Sequence, residues 1–184
     1  MFLLFAMQCA VLVIAVVWGL CRRVFWWNSL VPSLSLLWGV LLGFALALLN
    51  LLLYTGGRRV KSLHIEWIFE NLYFPLFGSS GFAGILAIAA LSGFCEEALF
   101  RGVLQQEWGI VAASACFGAL HMGHRRLIFA GIWTALLGGL LGYSYSMTGN
   151  LLVPMAAHGI SNLAGLLYVR YCYRPSSASS AEGD

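Results

Sequence analysis

Long apolar runs separated by short polar stretches divide this chain into six segments. They cover about residues 2–20, 30–53, 81–104, 109–122, 127–146 and 151–169. A helix that crosses a bilayer needs about 20 predominantly apolar residues, a length that every segment except the fourth approaches or exceeds. The pattern therefore predicts an all-α fold, a polytopic transmembrane bundle of about six spans in which the fourth helix is short.

The one long connection between these segments, residues 54–80, has a different pattern. In SLHIEWIFENLYF, apolar side chains such as Leu63 and Trp67 lie among polar ones, which is typical of a helix lying along the membrane surface. Pro75 is predicted to end this helix, because a proline inside a helix removes a hydrogen bond and clashes with the preceding turn.

These patterns divide the chain into four parts: two N-terminal transmembrane helices (1–53), the connection with its interfacial helix (54–80), a helical core (81–170) and a tail (171–184). The tail ends in PSSASSAEGD, whose small polar residues predict disorder. The first segment has no basic residue before its apolar run and no small-residue cleavage site after it. It is therefore predicted to be a retained span and not a signal peptide.

Composition agrees with a membrane protein and excludes other classes. Hydrophobic residues make up 61% of the chain and charged residues 9%, and the mean hydropathy is +0.87, whereas soluble domains carry about 25% charged residues. The ten Lys and Arg residues are scattered between apolar segments, so we expect no nucleic-acid partner. The five cysteines form no CxxC pair and no zinc-type spacing, and we interpret them as packing residues.

Loop charges predict the orientation in the membrane. With six spans, seven basic residues lie on the same side as both termini: Arg58, Arg59, Lys61, Arg125, Arg126, Arg170 and Arg174. Arg22 and Arg23 lie on the other side. Because cytoplasmic loops carry the excess of Lys and Arg, we expect an integral membrane protein with cytoplasmic termini.

Two adjacent acidic residues stand out in the third apolar segment, within LSGFCEEALFRG. A charged side chain at the bilayer centre costs at least about 2.5–3.5 kcal/mol, so such residues usually pair and mark function. On a helix, Glu97 and Arg101 are i and i+4 and share a face, whereas Glu96 is rotated about 100° from Glu97. One carboxylate is therefore available to pair with the arginine, and the other is left for a different role.

Two later segments each place polar side chains one helical turn apart. FGALH brings Phe117 and His121 to a common face, and HGISN does the same for His158 and Asn162. If these faces converge with the acidic pair, a carboxylate, two imidazoles and an amide share one pocket. A carboxylate beside an imidazole can deprotonate a water, and imidazole or amide N–H groups can stabilise an oxyanion. Such a set predicts a hydrolase that attacks with water and forms no covalent intermediate.

Each of these residues also has a structural explanation. Glu97 and Arg101 could form an ion pair without a catalytic role, and His121 could be an ordinary interfacial histidine. His158 and Asn162 could be hydrogen-bonding contacts between helices, worth about 0.6 kcal/mol on average. Taken one at a time, the residues do not decide between a catalytic site and a set of packing contacts.

Taken together, EEALFRG, FGALH and HGISN resemble the successive motifs EExxxR, FxxxH and HxxxN of the CPBP family, the CAAX proteases and bacteriocin-processing enzymes. This family is also called the Abi or type II CAAX prenyl endopeptidase family. The resemblance covers about residues 80–170 and includes every residue of the motifs, whereas the first two segments carry no signature and are interpreted as anchors or bundle walls. It implies a glutamic intramembrane endopeptidase, a hydrolase, in a bacterial inner membrane.

The resemblance also implies a role for each motif residue. Glu96 would activate the attacking water with the assistance of His121, and His158 with Asn162 would stabilise the oxyanion. The other motif residues would support the site: Glu97, Arg101 and Phe117. The expected substrate is a membrane-associated protein or peptide, with a prenylated one as an option, and no cofactor is expected.

Three alternatives remain open. Two glutamates and two histidines could ligate zinc in a metal-dependent membrane protease, although HExxH is absent. A non-catalytic immunity protein could bind a membrane partner through small residues such as those of LLGGLLG (136–142), which otherwise pack within the bundle. A proton-conducting transporter would predict symmetry between the two halves of the chain, which the sequence lacks.

Overall fold

A computed structural model of the protein describes residues 1–175, and this part of the chain contains helices and no strand. The helices are α1 (Phe2–Arg22), α2 (Leu36–Gly57), α3 (Ile65–Ile68, Phe69–Tyr73 and Phe74–Phe77), α4 (Phe82–Leu99, continued by Phe100–Leu104), α5 (Gln105–Leu120), α6 (Ile128–Thr148) and α7 (Leu152–Tyr171). After α7, Tyr173 is still buried. Residues 176–184, to which the prediction of disorder mainly applies, lie outside the described residues.

The prediction of an all-α transmembrane bundle is confirmed. Within residues 1–175, five helical runs are long and apolar enough to cross a membrane: Phe2–Arg22, Leu36–Gly57, Phe82–Leu120, Arg125–Thr148 and Leu152–Tyr171. The outward faces of these helices carry many exposed apolar side chains, which suits contact with lipid. The run Phe82–Leu120 contains both the third and the fourth predicted segments.

Gly109 divides this run in two. Its φ of 79° and ψ of 168° are non-helical, a combination that only glycine adopts readily. Phe100 and Phe117 would lie about 25 Å apart along one straight helix, yet their ring centroids are 4.8 Å apart. The chain therefore folds back at Gly109, and the short fourth segment runs antiparallel beside the end of the third.

This reversal sets the depth of two predicted site residues. Glu97 and His121 are equally far along the chain from Gly109, one before it and one after it. At 1.5 Å per helical residue, each lies about 18 Å from the turn. The half-length fourth segment thus returns His121 to the level of the acidic pair, which a full-length helix would not do.

The interfacial segment α3 corrects one prediction, because its helical backbone continues through Pro75 to Phe77. The residues just before the proline, Phe69–Tyr73, form a π-helical turn in which the N–H of Phe74 bonds to the carbonyl of Phe69. This turn is wider than an α-helical one, so the helix already has room where the proline ring would otherwise clash.

Helix α4 lies at the centre of the bundle. It packs against α1 and against α7, while α7 also packs against α2 and α5 packs against α6. The backbones of α4 and α7 approach each other closely at Gly93, where an added Cβ would lie 2.7 Å from the amide nitrogen of Gly159. Gly93 is one turn before Glu97, and Gly159 follows His158, so this contact brings the predicted site residues of the two helices together.

Gly93→Ala is expected to separate α4 from α7 and to destabilise the protein. The added methyl group would also lie 2.9 Å from the carbonyl oxygen of Met155, and the backbone of a packed helix cannot move aside as a side-chain end can. Overpacking of this kind costs about 1–3 kcal/mol, which thermal unfolding in detergent would detect as a lower midpoint. The matched control is Gly139→Ala, whose Cβ would meet no atom within 4 Å. Equal midpoints for the two variants would contradict the close contact.

Candidate active site

A completely buried ion pair lies at the centre of the candidate site. The Nη1 of Arg101 donates a hydrogen bond to the Oε1 of Glu97 at 2.8 Å, and the two side chains are 1% and 0% exposed. The Nδ1 of His158 lies 2.7 Å from the same carboxylate oxygen. The predicted i,i+4 pairing within α4 is confirmed, and it extends to an imidazole on α7.

Arg101 connects this pair to two further helices. It lies in a π-helical turn, Phe100–Leu104, a type of irregularity that is frequent at functional sites. Its Nη2 donates to the carbonyl oxygen of Gly138 on α6 at 2.8 Å, and its guanidinium carbon lies 4.7 Å from the ring centroid of Phe117 on α5. A buried charge is stable only when such partners replace water, so Arg101 ties α5 and α6 to α4.

Glu96 differs from Glu97 in being accessible. Its side chain is 15% exposed, and its Oε2 lies 3.9 Å from the Nε2 of His158. Its Oε1 accepts a hydrogen bond of 2.8 Å from the Nε2 of Gln8 on α1. His158 therefore lies between the two carboxylates, with Nδ1 facing the sealed one and Nε2 facing the accessible one.

His121 follows the last residue of α5 and belongs to the same cluster through Phe117. Its ring centroid is 4.9 Å from that of Phe117, which in turn is 5.8 Å from the ring centroid of His158. The Nδ1 of His121 lies 2.7 Å from the carbonyl oxygen of Phe117. A carbonyl oxygen only accepts hydrogen bonds, so Nδ1 carries a proton and the Nε2 of the neutral ring keeps a free lone pair. No hydrogen bond joins His121 to Glu96 in the described part of the chain.

Asn162 reaches the site through a second residue of α4. Its Nδ2 donates a hydrogen bond of 2.8 Å to the Oγ of Ser92, and that hydroxyl donates to the carbonyl oxygen of Ala89. Ser92 is one turn before Glu96, and Asn162 is one turn after His158. The Asn162 amide therefore lies one helical turn from the acidic pair. One of its two N–H groups is bonded to Ser92, and the other is available for a further hydrogen bond.

Three polar residues in and around the cluster were missed by the sequence interpretation. Gln8 contacts Glu96, and Ser92 contacts Asn162. On α2, the Nδ2 of Asn50 donates to the Oγ of Ser161 at 3.1 Å. The first two helices are therefore more than anchors or bundle walls. In the sequence, Gln8 and Asn50 each stand out as an amide within an apolar run. This indicates that each side chain needs a polar partner but does not indicate which helix supplies it.

A metal site requires several ligand side chains around one point. Within residues 1–175, no three His, Cys, Asp or Glu side chains are placed so that they could hold one metal ion. The cysteines in this part of the chain are free. Binding of zinc by Glu96, Glu97 and the two motif histidines would therefore require these side chains to move.

The core of the chain is similar to a known protein family. Residues 78–164 match the family model described as type II CAAX prenyl endopeptidase Rce1-like. The uncharacterized protein YpbD of Bacillus subtilis (strain 168) is 38% identical over 113 residues, which is 58% of this chain and 60% of the relative. No solved structure matches the chain. The matched residues contain all three motifs and exclude α1 and α2.

Proposed function

Because residues 78–164 match the type II CAAX prenyl endopeptidase Rce1-like family model, we propose that the chain is a member of the CPBP family and an intramembrane endopeptidase. The proposed reaction is hydrolysis of a peptide bond in a membrane-associated protein or peptide by a glutamate-activated water. One observation carries this proposal. An accessible carboxylate, Glu96, lies beside His158, while its neighbour Glu97 is sealed against Arg101.

Glu96 is the proposed general base because Glu97 is already engaged by Arg101 and His158. In the reaction, Glu96 takes a proton from a water, and the resulting hydroxide attacks the carbonyl carbon of the peptide bond. The tetrahedral intermediate then collapses as the C–N bond breaks and the proton passes from Glu96 to the leaving nitrogen. The products are a carboxylic acid and an amine, which become a carboxylate and an ammonium when the acid proton passes to the amine, and the carboxylate of Glu96 is regenerated.

His121 is proposed to orient the attacking water or share its proton. The hydrogen bond from Nδ1 to the Phe117 carbonyl leaves Nε2 as an acceptor, which suits a contact with a water proton and does not suit donation to an oxyanion. The reversal at Gly109 supports this role, because it returns His121 to the depth of the acidic pair.

His158 and Asn162 are proposed to donate hydrogen bonds to the oxyanion. The Nδ1 of His158 faces Glu97, so its Nε2 can donate only when both ring nitrogens carry a proton. Asn162 contributes the amide N–H that is not bonded to Ser92. Donors fixed in this way stabilise the transition state without reorganising during the reaction.

The substrate class follows from the location of the site. The cluster lies between helices long and apolar enough to span a membrane, so we propose a substrate held at the bilayer, with or without a prenyl group. We also propose that the protein resides in a bacterial inner membrane with cytoplasmic termini. The non-catalytic binding alternative relied on a face of small residues, of which Gly138 and Gly142 are buried within the bundle.

The proposal is tested with the intact protein in liposomes that also contain membrane-anchored peptides, one set prenylated at a C-terminal cysteine and one set not. We expect cleavage of at least one set, detected by mass spectrometry as new peptide ends, and we expect it to survive exhaustive chelation. Loss of cleavage on chelation, restored by zinc, would favour the metal-dependent alternative. No cleavage of either set would contradict the proposed function.

A further inference from the structure

Gln8 is an unusual residue in the helix that carries it. Between Phe2 and Val17, no other side chain of α1 carries an amide, a hydroxyl or a charge. An amide in an apolar environment is costly unless it forms hydrogen bonds. Gln8 lies on the stripe of α1 that faces the bundle, together with half-buried Leu12 and buried Ala15, so the helix places its one amide inward.

The amide of Gln8 is oriented by the proposed catalytic base. Its Nε2 donates to the Oε1 of Glu96 at 2.8 Å, while its own Oε1 is buried and has no hydrogen-bond partner among the described residues. An unpaired buried carbonyl is unfavourable. The orientation is therefore explained by the carboxylate, which as an acceptor requires the nitrogen of the amide to face it.

Because of this contact, the two carboxylate oxygens of Glu96 face different residues. Oε1 is held by α1, and Oε2 faces the Nε2 of His158 at 3.9 Å. A carboxylate held at one oxygen cannot rotate freely, so the other oxygen keeps one direction. Orientation of this kind matters because a displacement of about 1 Å in a catalytic group can cost about 10²-fold in rate.

We infer that Gln8 is a positioning residue for the reaction: its amide holds Glu96 so that Oε2 faces the attacking water. This inference rests on the proposed function. It assigns a role to α1, which lies outside the segment that matches the family model. The active site is accordingly completed by a helix that the three motifs do not include.

A simple helix-to-helix hydrogen bond is the competing explanation, and the two make different predictions. A packing contact contributes to the stability of the α1–α4 interface and leaves the chemistry of the folded protein unchanged. A positioning contact affects the chemical step. In that case Gln8 acts through Glu96 and not through the peptide, so its loss should lower kcat while KM stays unchanged.

The test is Gln8→Met, which keeps an unbranched side chain of similar length and removes the donor. In liposomes, we expect kcat to fall by roughly 10- to 100-fold, the range that corresponds to one hydrogen bond to a charged group, with KM unchanged. The matched control is Leu12→Met, one turn further along the same face of α1 and packed against the core. This variant changes packing without removing a contact to Glu96, and its kcat should equal that of the wild type.

Thermal unfolding in detergent provides a second measurement that does not depend on cleavage. Gln8→Met, Glu96→Met and the double variant form a cycle, and we expect the double variant to lose less than the sum of the two single losses, because the bond can be lost only once. Additive losses would overturn the contact. A wild-type kcat in Gln8→Met would overturn the inference and leave the proposed function intact, whereas absence of cleavage by the wild type would overturn both.

Discussion

Glu96→Gln is expected to reduce peptide-bond hydrolysis by about 10²- to 10⁴-fold, the contribution typical of a positioned general base. An amide has nearly the shape of a carboxylate but cannot take a proton from water. The fold should survive, because the side-chain carbonyl oxygen at position 96 can still accept the hydrogen bond from Gln8. The initial rate of cleavage in liposomes measures the effect, and the thermal unfolding midpoint verifies that the variant is folded.

The matched control for this variant is Glu107→Gln, the same change further along the same helical run. Glu107 accepts hydrogen bonds from Trp18 and Arg22 at the other end of α1. It has no role in the proposed chemistry, so its cleavage rate should equal that of the wild type. Equal activity in Glu96→Gln and the wild type would contradict the assignment of the base. Equal loss in both glutamine variants would instead indicate a general disturbance of α4 and α5.

The parts of the site that could be predicted from the sequence lie within single helices. The spacing of Glu97 and Arg101 predicted their pairing because residues four apart in a helix are neighbours. The same reasoning predicted that Glu96 would point elsewhere. These predictions needed no knowledge of the other helices, and for that reason they could be made from one sequence.

Contacts between helices were less predictable. A sequence shows which face of a helix is polar but does not show which helix that face meets, so Gln8 and Asn50 could not be assigned partners. The depth of His121 depends on the backbone reversal at Gly109. A lone glycine in an apolar run can equally indicate a close packing contact or the end of a helix, so the reversal could not be predicted. Pro75 was misjudged because the neighbouring π-helical turn, which makes room for the ring, has no simple sequence signature.

Arg101→Met is expected to be among the most destabilising single substitutions in the protein. It removes the cation from a carboxylate that is 0% exposed, and loss of one partner of a buried ion pair costs about 3–5 kcal/mol. The remaining partner of Glu97, His158, would be displaced or would have to carry the whole charge. Unfolding by denaturing detergent in mixed micelles should show the loss, and cleavage should be lost with it.

Two further variants separate the loss of charge balance from a general effect of replacing an arginine. Arg22→Met removes the second Arg–Glu pair within residues 1–175, the pair with Glu107, in which the Arg22 side chain is 61% exposed. Exposed pairs are worth about 0–1 kcal/mol, so this variant should unfold nearly as the wild type does. Arg101→Met combined with Glu97→Gln removes the stranded charge and keeps an acceptor for the Nδ1 of His158. It should therefore recover most of the stability that Arg101→Met loses, and failure to recover it would mean that Arg101 acts mainly through its contacts with Gly138 and Phe117 and not through its charge.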